Sequence, residues 1–171
     1  MELRTAKFND LPRILEIERL SFSQPWSLNS FRRELSLSFS RTYLAVIDGE
    51  IAGYLCRWLV AGEVHILNIA VHPGIRRRGV ASALLAETVD EAIRVQAELM
   101  ILEVRRSNLA AQQLYRRFGF VHRRLRRNYY GAGEDALVME LVPASLRAGA
   151  TRQAESRLRL DTLGEISKNR S

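Results

Sequence analysis

The stretch Val71-His-Pro-Gly-Ile-Arg76-Arg77-Arg78-Gly79-Val80-Ala81-Ser82 lies between an apolar run and the most helix-prone segment of the chain, Ala81–Ala97. The start of a helix leaves backbone N–H groups unpaired and carries a partial positive charge. Small residues let that backbone approach a ligand closely, and neighbouring guanidiniums add charge-assisted hydrogen bonds, so the segment suits a phosphate or pyrophosphate. Neither Gly-x-x-x-x-Gly-Lys nor Gly-x-Gly-x-x-Gly occurs in the chain, which separates this loop from the two best-known nucleotide loops. Its letters alone also suit an exposed basic loop that caps a helix.

Outward from that loop the pattern alternates between strands and helices. Upstream, Tyr43–Ile47 and Ile51–Leu55 flank Asp48-Gly49, a strong hairpin signal because glycine accepts the positive φ of a type I′ turn, and a third strand is predicted over Glu63–Val71. Earlier still, Asn9 or Asp10 is placed to cap a helix opening at Leu11-Pro12, and Ser27 to cap a shorter one through Phe31 and Leu35. Downstream, Leu99–Val104 reads as a buried strand, Asn108–Phe118 as a helix, and Gly119–Leu125 and Ala136–Leu141 as closing strands. The predicted order is β-α-α-β-β-β-α-β-α-β-β, an α/β chain whose mixed sheet carries helices on both faces.

Composition agrees with one domain. The chain has 171 residues, 47% apolar and 26% charged, and a net charge of +7 carried almost wholly by arginine, since Lys7 and Lys168 are the only lysines. Arginine favours planar recognition of phosphate or carboxylate, so an anionic ligand is expected. Residues 1–143 form the predicted domain with a net charge of +4; residues 144–171 carry +3 and read as a basic tail, either flexible or a short helix around Arg152–Leu163. A lone cysteine, Cys56, excludes an intramolecular disulfide and a cysteine-rich zinc cluster, and its place inside a strand suits packing rather than nucleophilic chemistry. His65 and His72 fall on opposite faces of one regular strand and His122 stands apart, so no metal site is expected. The opening residues lack a signal peptide and no run has the length a bilayer needs, which points to a cytoplasmic protein.

Two residues suit acid–base work. Glu103 sits inside an apolar strand, where a carboxylate is depleted, and a desolvated carboxylate is a competent proton acceptor; Arg105, two residues on and on the same face, offers an ion pair as the plainer account. Tyr115 shares a helical stripe with Ala111 and Phe118 and suits either a core aromatic or a proton donor to a departing thiolate. Asn108 most simply caps that helix, the other reading being an amide bonded to a ligand.

The loop, as Arg76-x-x-Gly79-x-Ala81, resembles the Gln/Arg-x-x-Gly-x-Gly/Ala hallmark of the GNAT N-acetyltransferase superfamily. The likeness narrows to the ribosomal-protein-alanine N-acetyltransferases and related amino-terminal acetyltransferases through Ser23-Gln-Pro-Trp26-Ser, Asn68-Ile-Ala-Val71, Leu102-Glu103-Val104-Arg105-x-Ser107-Asn108, Leu114-Tyr115-x-x-x-Gly119-Phe120 and Arg127-Asn128-Tyr129-Tyr130, in one order through residues 2–142. The resemblance implies a mostly antiparallel mixed sheet of six to seven strands and acetyl-CoA as donor. It further implies a pyrophosphate cradle of Arg76, Arg77, Arg78, Gly79, Val80, Ala81 and Ser82, with strand backbone from Ile69, Ala70 and Val71 at the thioester and Asn108 as a further CoA contact. Glu103 would match the general base, Tyr115 the general acid, and Trp26, Tyr129 and Tyr130 the walls of a peptide groove. The implied acceptor is a protein amino terminus, that of a ribosomal protein with alanine first, acetylated directly in a ternary complex without an acyl-enzyme.

Neutralising an α-amine at pH 7 costs about 1.4 kcal/mol against about 4.6 kcal/mol for a lysine, which favours the amino terminus and leaves a lysine or small-amine acetyltransferase as the alternative. Arg76–Arg78 and Arg123-Arg124-x-Arg126-Arg127 also suit an RNA- or ribosome-binding module. Alternation along a strand, which sends neighbouring arginines to opposite faces, argues instead for a solvated edge without specific nucleic-acid binding.

Overall fold

The computed structural model describes residues 1–144, so the expected tail, apart from Ala144, lies outside the described residues. The chain runs β1 (Glu2–Thr5), α1 (Leu11–Ser21), α2 (Leu28–Ser36), β2 (Ser40–Ile47), β3 (Glu50–Val60), β4 (Glu63–Val71), α3 (Val80–Arg94), β5 (Leu99–Arg105), α4 (Leu109–Arg117), β6 (Val121–Arg126) and β7 (Ala136–Leu141). The strands form one sheet in the order β1-β2-β3-β4-β5-β7-β6, antiparallel throughout except between β4 and β5.

Local sequence accounts for most element ends. Asp48 and Gly49 take positive φ of 52° and 82° and close the β2–β3 hairpin as their chemistry predicts. Ala61 and Gly62, at 50° and 81°, close β3 onto β4 in the same way, a turn the sequence reading did not single out. Ser27 Oγ accepts from Ser30 N at 3.1 Å and caps α2; Asn108 Oδ1 accepts from Ala111 N at 3.1 Å and caps α4. Asp10 occupies the N-cap position of α1 but its carboxylate does not cap it. It is drawn instead into a two-bond pair with Arg4, both at 2.8 Å, and accepts from Lys7 N at 2.7 Å. A charge-assisted fork outweighs one cap bond. Helix α3 stops at Arg94, short of the expected Ala97, because Gln96 turns to a φ of 55°.

Two apolar clusters lie on opposite faces of the sheet. α3 and α4 cover one, where Leu84, Leu85, Val89 and Tyr115 meet Leu55, Val64, Met100 and Leu102. α1 and α2 cover the other, where Ile14, Ile17 and Phe31 meet Leu44, Tyr54 and Ala70. The expected helices on both faces are present. Cys56 is fully buried in β3, and burial pushes its thiol up to about 11, so at neutral pH it is a packing group rather than a thiolate. No helix among the described residues is long and apolar enough to cross a membrane.

Candidate active site

A break in the sheet makes the site. The parallel ladder between β4 and β5 runs from Glu63–Leu99 to Ile66–Leu102 and ends there, although β4 continues to Val71 and β5 to Arg105. At the same point the β3–β4 register slips, with Cys56 opposite Asn68 and Arg57 opposite Ile66, leaving Leu67 as an extra residue in β4. Such a bulge bends its strand. β4 and β5 therefore part, and a cleft of about 200 Å³ opens between them, lined by residues that include Glu18, Phe22, Asn68, Ile69, Glu103, Arg105, Asn108, Tyr115 and Tyr130.

The backbone of β4 faces this cleft in alternate residues. His72 N donates to Ala52 O at 2.8 Å, so the antiparallel alternation commits Ala70 to β3 and turns the polar groups of Ile69 and Val71 toward the parted strands. Of the three β4 residues expected at the cofactor, Ala70 is thus not brought to the cleft: its backbone pairs with β3 and its side chain packs under α1. Val71 also lies outside the cleft lining, although strand alternation turns its N–H toward the parted strands; its carbonyl accepts from Arg76 Nε at 3.2 Å.

Beyond β4, Pro73–Ile75 make a single helical turn and the chain reaches α3 through two left-handed residues, Arg77 at a φ of 66° and Gly79 at 80°. No side chain caps α3. A Cβ added at Gly79 would meet nothing within 4 Å, so the glycine is there for its φ and for the open space above it. An uncapped helix start under open space, flanked by exposed Arg77 and Arg78 and followed by Val80, Ala81 and Ser82, fits a pyrophosphate. Arg76 does not point its guanidinium freely outward; it reaches back to Val71 O and, at 3.4 Å, to Ser21 Oγ, bracing the loop.

On the opposite wall stands Glu103. Its carboxylate is about a quarter exposed rather than buried. Its ion-pair partner is Arg126, at 3.0 Å, and not the expected Arg105, which is drawn to Glu134 at 2.6 Å and lies 4.3 Å over the ring of Tyr130. The other oxygen of Glu103 takes no hydrogen bond among the described residues and is left for a ligand or water. Tyr115, buried on α4, also lines the cleft; burial lifts its phenol well above the ordinary value, with the charge of Tyr130 adding to the rise, so it stays protonated at neutral pH. Its hydroxyl bonds to no described residue. The predicted acid–base pair is therefore brought into one cleft.

The expected groove aromatics divide. Tyr130 donates to Glu103 O at 3.2 Å and lines the cleft, its phenol pushed up to about 12 mainly by burial. Tyr129 packs edge-on against Tyr130 and is half exposed outside the cleft lining. Trp26 is chiefly an anchor, its ring 5.3 Å from that of Phe31, and it too lies outside the lining. The three histidines are accounted for separately: His65 bonds Glu63 at 2.9 Å, His72 Nδ1 accepts from Gly74 N, and His122 lies exposed on β6. Along β6 a bulge between His122 and Arg124 breaks the simple alternation expected of the arginines, all of them exposed on this edge strand.

Sequence reasoning missed the most connected polar group of the cleft. Glu18 on α1 is 1% exposed, and its carboxylate gathers Trp26 N at 2.8 Å, the hydroxyl of Tyr54, and Asn68 Nδ2 at 3.1 Å. Burial raises its carboxyl above the ordinary value, while those hydrogen bonds pull the other way. The available signal was a carboxylate four residues after Ile14, on the apolar stripe of α1.

The family model for the GNAT acetyltransferases matches residues 11–120. The chain is 37% identical over 145 residues to the [ribosomal protein bS18]-alanine N-acetyltransferase of Escherichia coli K12, covering 81% of this chain and 95% of that one. It is 32% identical over 150 residues to an N-alpha-acetyltransferase of Sulfurisphaera tokodaii, covering 80% and 90% respectively. Among solved structures it superimposes on the ribosomal-protein-S18-alanine N-acetyltransferase from Escherichia coli with a TM-score of 0.78 at 33% identity, covering 82% of this chain and 92% of that one.

Proposed function

Because this chain belongs to the GNAT acetyltransferase family, we propose that it transfers acetyl from acetyl-CoA to the α-amine of a protein amino terminus, with ribosomal protein bS18, acetylated on alanine, as the acceptor. The observation that carries this reading is the parting of β4 from β5, which gathers the free backbone edge of Ile69, the open carboxylate oxygen of Glu103 and the unbonded hydroxyl of Tyr115 in one cleft, with the N–H of Val71 turned toward the same parted strands.

Acetyl-CoA supplies an activated thioester. The start of α3, with Arg77, Arg78, Gly79, Val80, Ala81 and Ser82, holds its pyrophosphate, and Asn108 offers the amide nitrogen left free by its capping bond. The N–H of Val71 donates to the thioester oxygen as charge develops there. Glu103, directly or through a water, takes the proton from the acceptor ammonium; the neutral nitrogen attacks the carbonyl carbon and a C–N bond forms. The C–S bond then breaks, the sulfur leaves with the electron pair and takes a proton from Tyr115, the nitrogen sheds its second proton to solvent to leave a neutral amide, and a proton from solvent restores the phenol. Tyr130, held over Glu103, walls the acceptor side together with the loop that carries Trp26.

Free thiol released from acetyl-CoA is the readout. A short peptide beginning with alanine is expected to be turned over, and its amino-terminally blocked copy carrying an internal lysine is not; turnover of the blocked peptide alone would move the enzyme to lysine acceptors. A second expectation concerns the donor. Gly79→Glu puts a negative side chain into the open space over the helix start and should abolish CoA binding by calorimetry, whereas Gly79→Ala, which only strains a positive φ at about 1–2 kcal/mol, should lower the thermal midpoint and keep most of the affinity.

A further inference from the structure

The polar cluster at the acceptor side of the cleft has an open end. Glu18 receives three donors and no cation: Trp26 N–H, the Tyr54 hydroxyl and the Asn68 amide. Asn68 Nδ2 lies 3.3 and 3.1 Å from the two oxygens of Glu18 and 3.0 Å from the Tyr54 oxygen. Tyr54 spends its own proton on Glu18, so its oxygen is left to accept. Both hydrogens of Nδ2 are thereby committed, one to the carboxylate and one to the phenol, and the amide has only one orientation that satisfies the cluster. That orientation leaves Oδ1 as the one polar atom of the Asn68 side chain without a partner among the described residues, on a residue that lines the cleft and is partly open to solvent.

An amide oxygen fixed in this way, backed by a buried carboxylate with no counter-cation, is a receptor for a hydrogen-bond donor that carries positive charge. The arginine of the cleft does not fill it: Arg105 is bound to Glu134, and Arg126, outside the lining, pairs with Glu103 on the β5 side. We infer that Asn68 Oδ1, oriented by Glu18 and Tyr54, accepts a hydrogen bond from the ammonium or amine of the acceptor and so selects a free amino terminus. Asn68 is then a specificity-determining residue that touches substrate, and Glu18 and Tyr54 are positioning residues. The same carboxylate fixes the Trp26 backbone, so the loop at the mouth of the cleft and the amine subsite are set by one group. The inference rests on the amino-terminal acetyltransferase reading for the identity of the acceptor.

The test is a binding cycle on the full chain with CoA present, which separates recognition from chemistry. The ligands are an alanine-first peptide and its des-amino copy, in which a propionyl group replaces the alanine. The wild type is expected to bind the amine peptide about tenfold more tightly, the worth of one charged hydrogen bond. In Asn68→Ala that preference should fall to within about twofold with CoA affinity kept, while the thermal midpoint drops because the buried Glu18 and Tyr54 lose a donor; Asn68→Val, which suits a strand better, serves if the alanine variant does not fold. Glu18→Gln should erode the preference as well, because its amide gives Asn68 a second way to point. An undiminished preference in the Asn68 variants, or a wild type that binds both peptides alike, overturns the inference. Loss of thiol release with the binding preference intact would sink the catalytic reading and leave this subsite standing; turnover with no amine preference would do the opposite.

Discussion

Glu103→Gln should lower turnover by about 10²- to 10⁴-fold, the usual contribution of a positioned proton acceptor, while CoA affinity stays within about twofold. The substitution keeps the shape of the side chain and removes its capacity to take a proton. Its structural side effects are small for reasons visible around it. The ion pair lost is with Arg126, whose side chain is 43% exposed and is rehydrated when its partner disappears. The bond from Tyr130 goes to the Glu103 backbone carbonyl and is untouched, so the wall of the groove keeps its place. The proposed pyrophosphate cradle is on another element, the start of α3. Single-turnover thiol release beside calorimetric CoA binding separates the two effects. Turnover within threefold of wild type would remove Glu103 from the chemistry, and a collapse of CoA affinity would make it a structural residue of the cleft. Tyr115→Phe offers the comparison: it loses a proton donor, and from a buried hydroxyl with no partner among the described residues, so packing on Phe120 is kept and the loss falls on turnover.

What sequence revealed about this site follows from which signals are local. The hairpin at Asp48-Gly49, the caps Ser27 and Asn108, and the small-residue start of α3 are written in a few adjacent letters, and each is realised where those letters place it. The cleft is not local. It depends on where the β4–β5 ladder stops, and Leu67, the extra residue of the bulge, looks like any other apolar member of its strand. Partners of charges were likewise misjudged wherever a residue from a distant strand competed. Arg105 is close to Glu103 in sequence, yet β6 brings Arg126 to that carboxylate and the β6–β7 loop brings Glu134 to Arg105. Ala70 shows the same limit in reverse: the backbone of its neighbours Ile69 and Val71 is turned toward the parted strands and strand alternation turns its own away. Glu18 was hidden because its three partners come from β3, β4 and the loop after α1, which only the folded sheet assembles.

Glu91→Ala should be the most destabilising single change on the α3 face of the sheet, at about 3–5 kcal/mol, a large part of the 5–15 kcal/mol that holds an ordinary domain together. Arg57 and Glu91 are 3% and 5% exposed, and two bonds join them, Arg57 Nε to Oε2 at 2.9 Å and Nη2 to Oε1 at 2.5 Å. Arg41 adds a third at 2.8 Å from a half-exposed position. Removing the carboxylate leaves the Arg57 guanidinium buried with a single partner, Phe39 O at 3.2 Å. The penalty comes from that stranded charge rather than from the lost attraction. Hence Arg57→Met with Glu91→Leu, which empties the site of both charges, should recover most of the loss even though it deletes the same bonds. Arg41 can turn to water in that variant. Urea midpoints of the two proteins check the argument. If the double variant is as unstable as Glu91→Ala, the pair itself and not the unpaired cation stabilises α3 against β3, and if Glu91→Ala lies within about 1 kcal/mol of wild type, Arg57 has found water or another partner. α3 carries the proposed phosphate-binding start at one end and Glu91 near the other, so a loss of this size should also show as weaker CoA binding at temperatures approaching the midpoint, and as unchanged binding well below it.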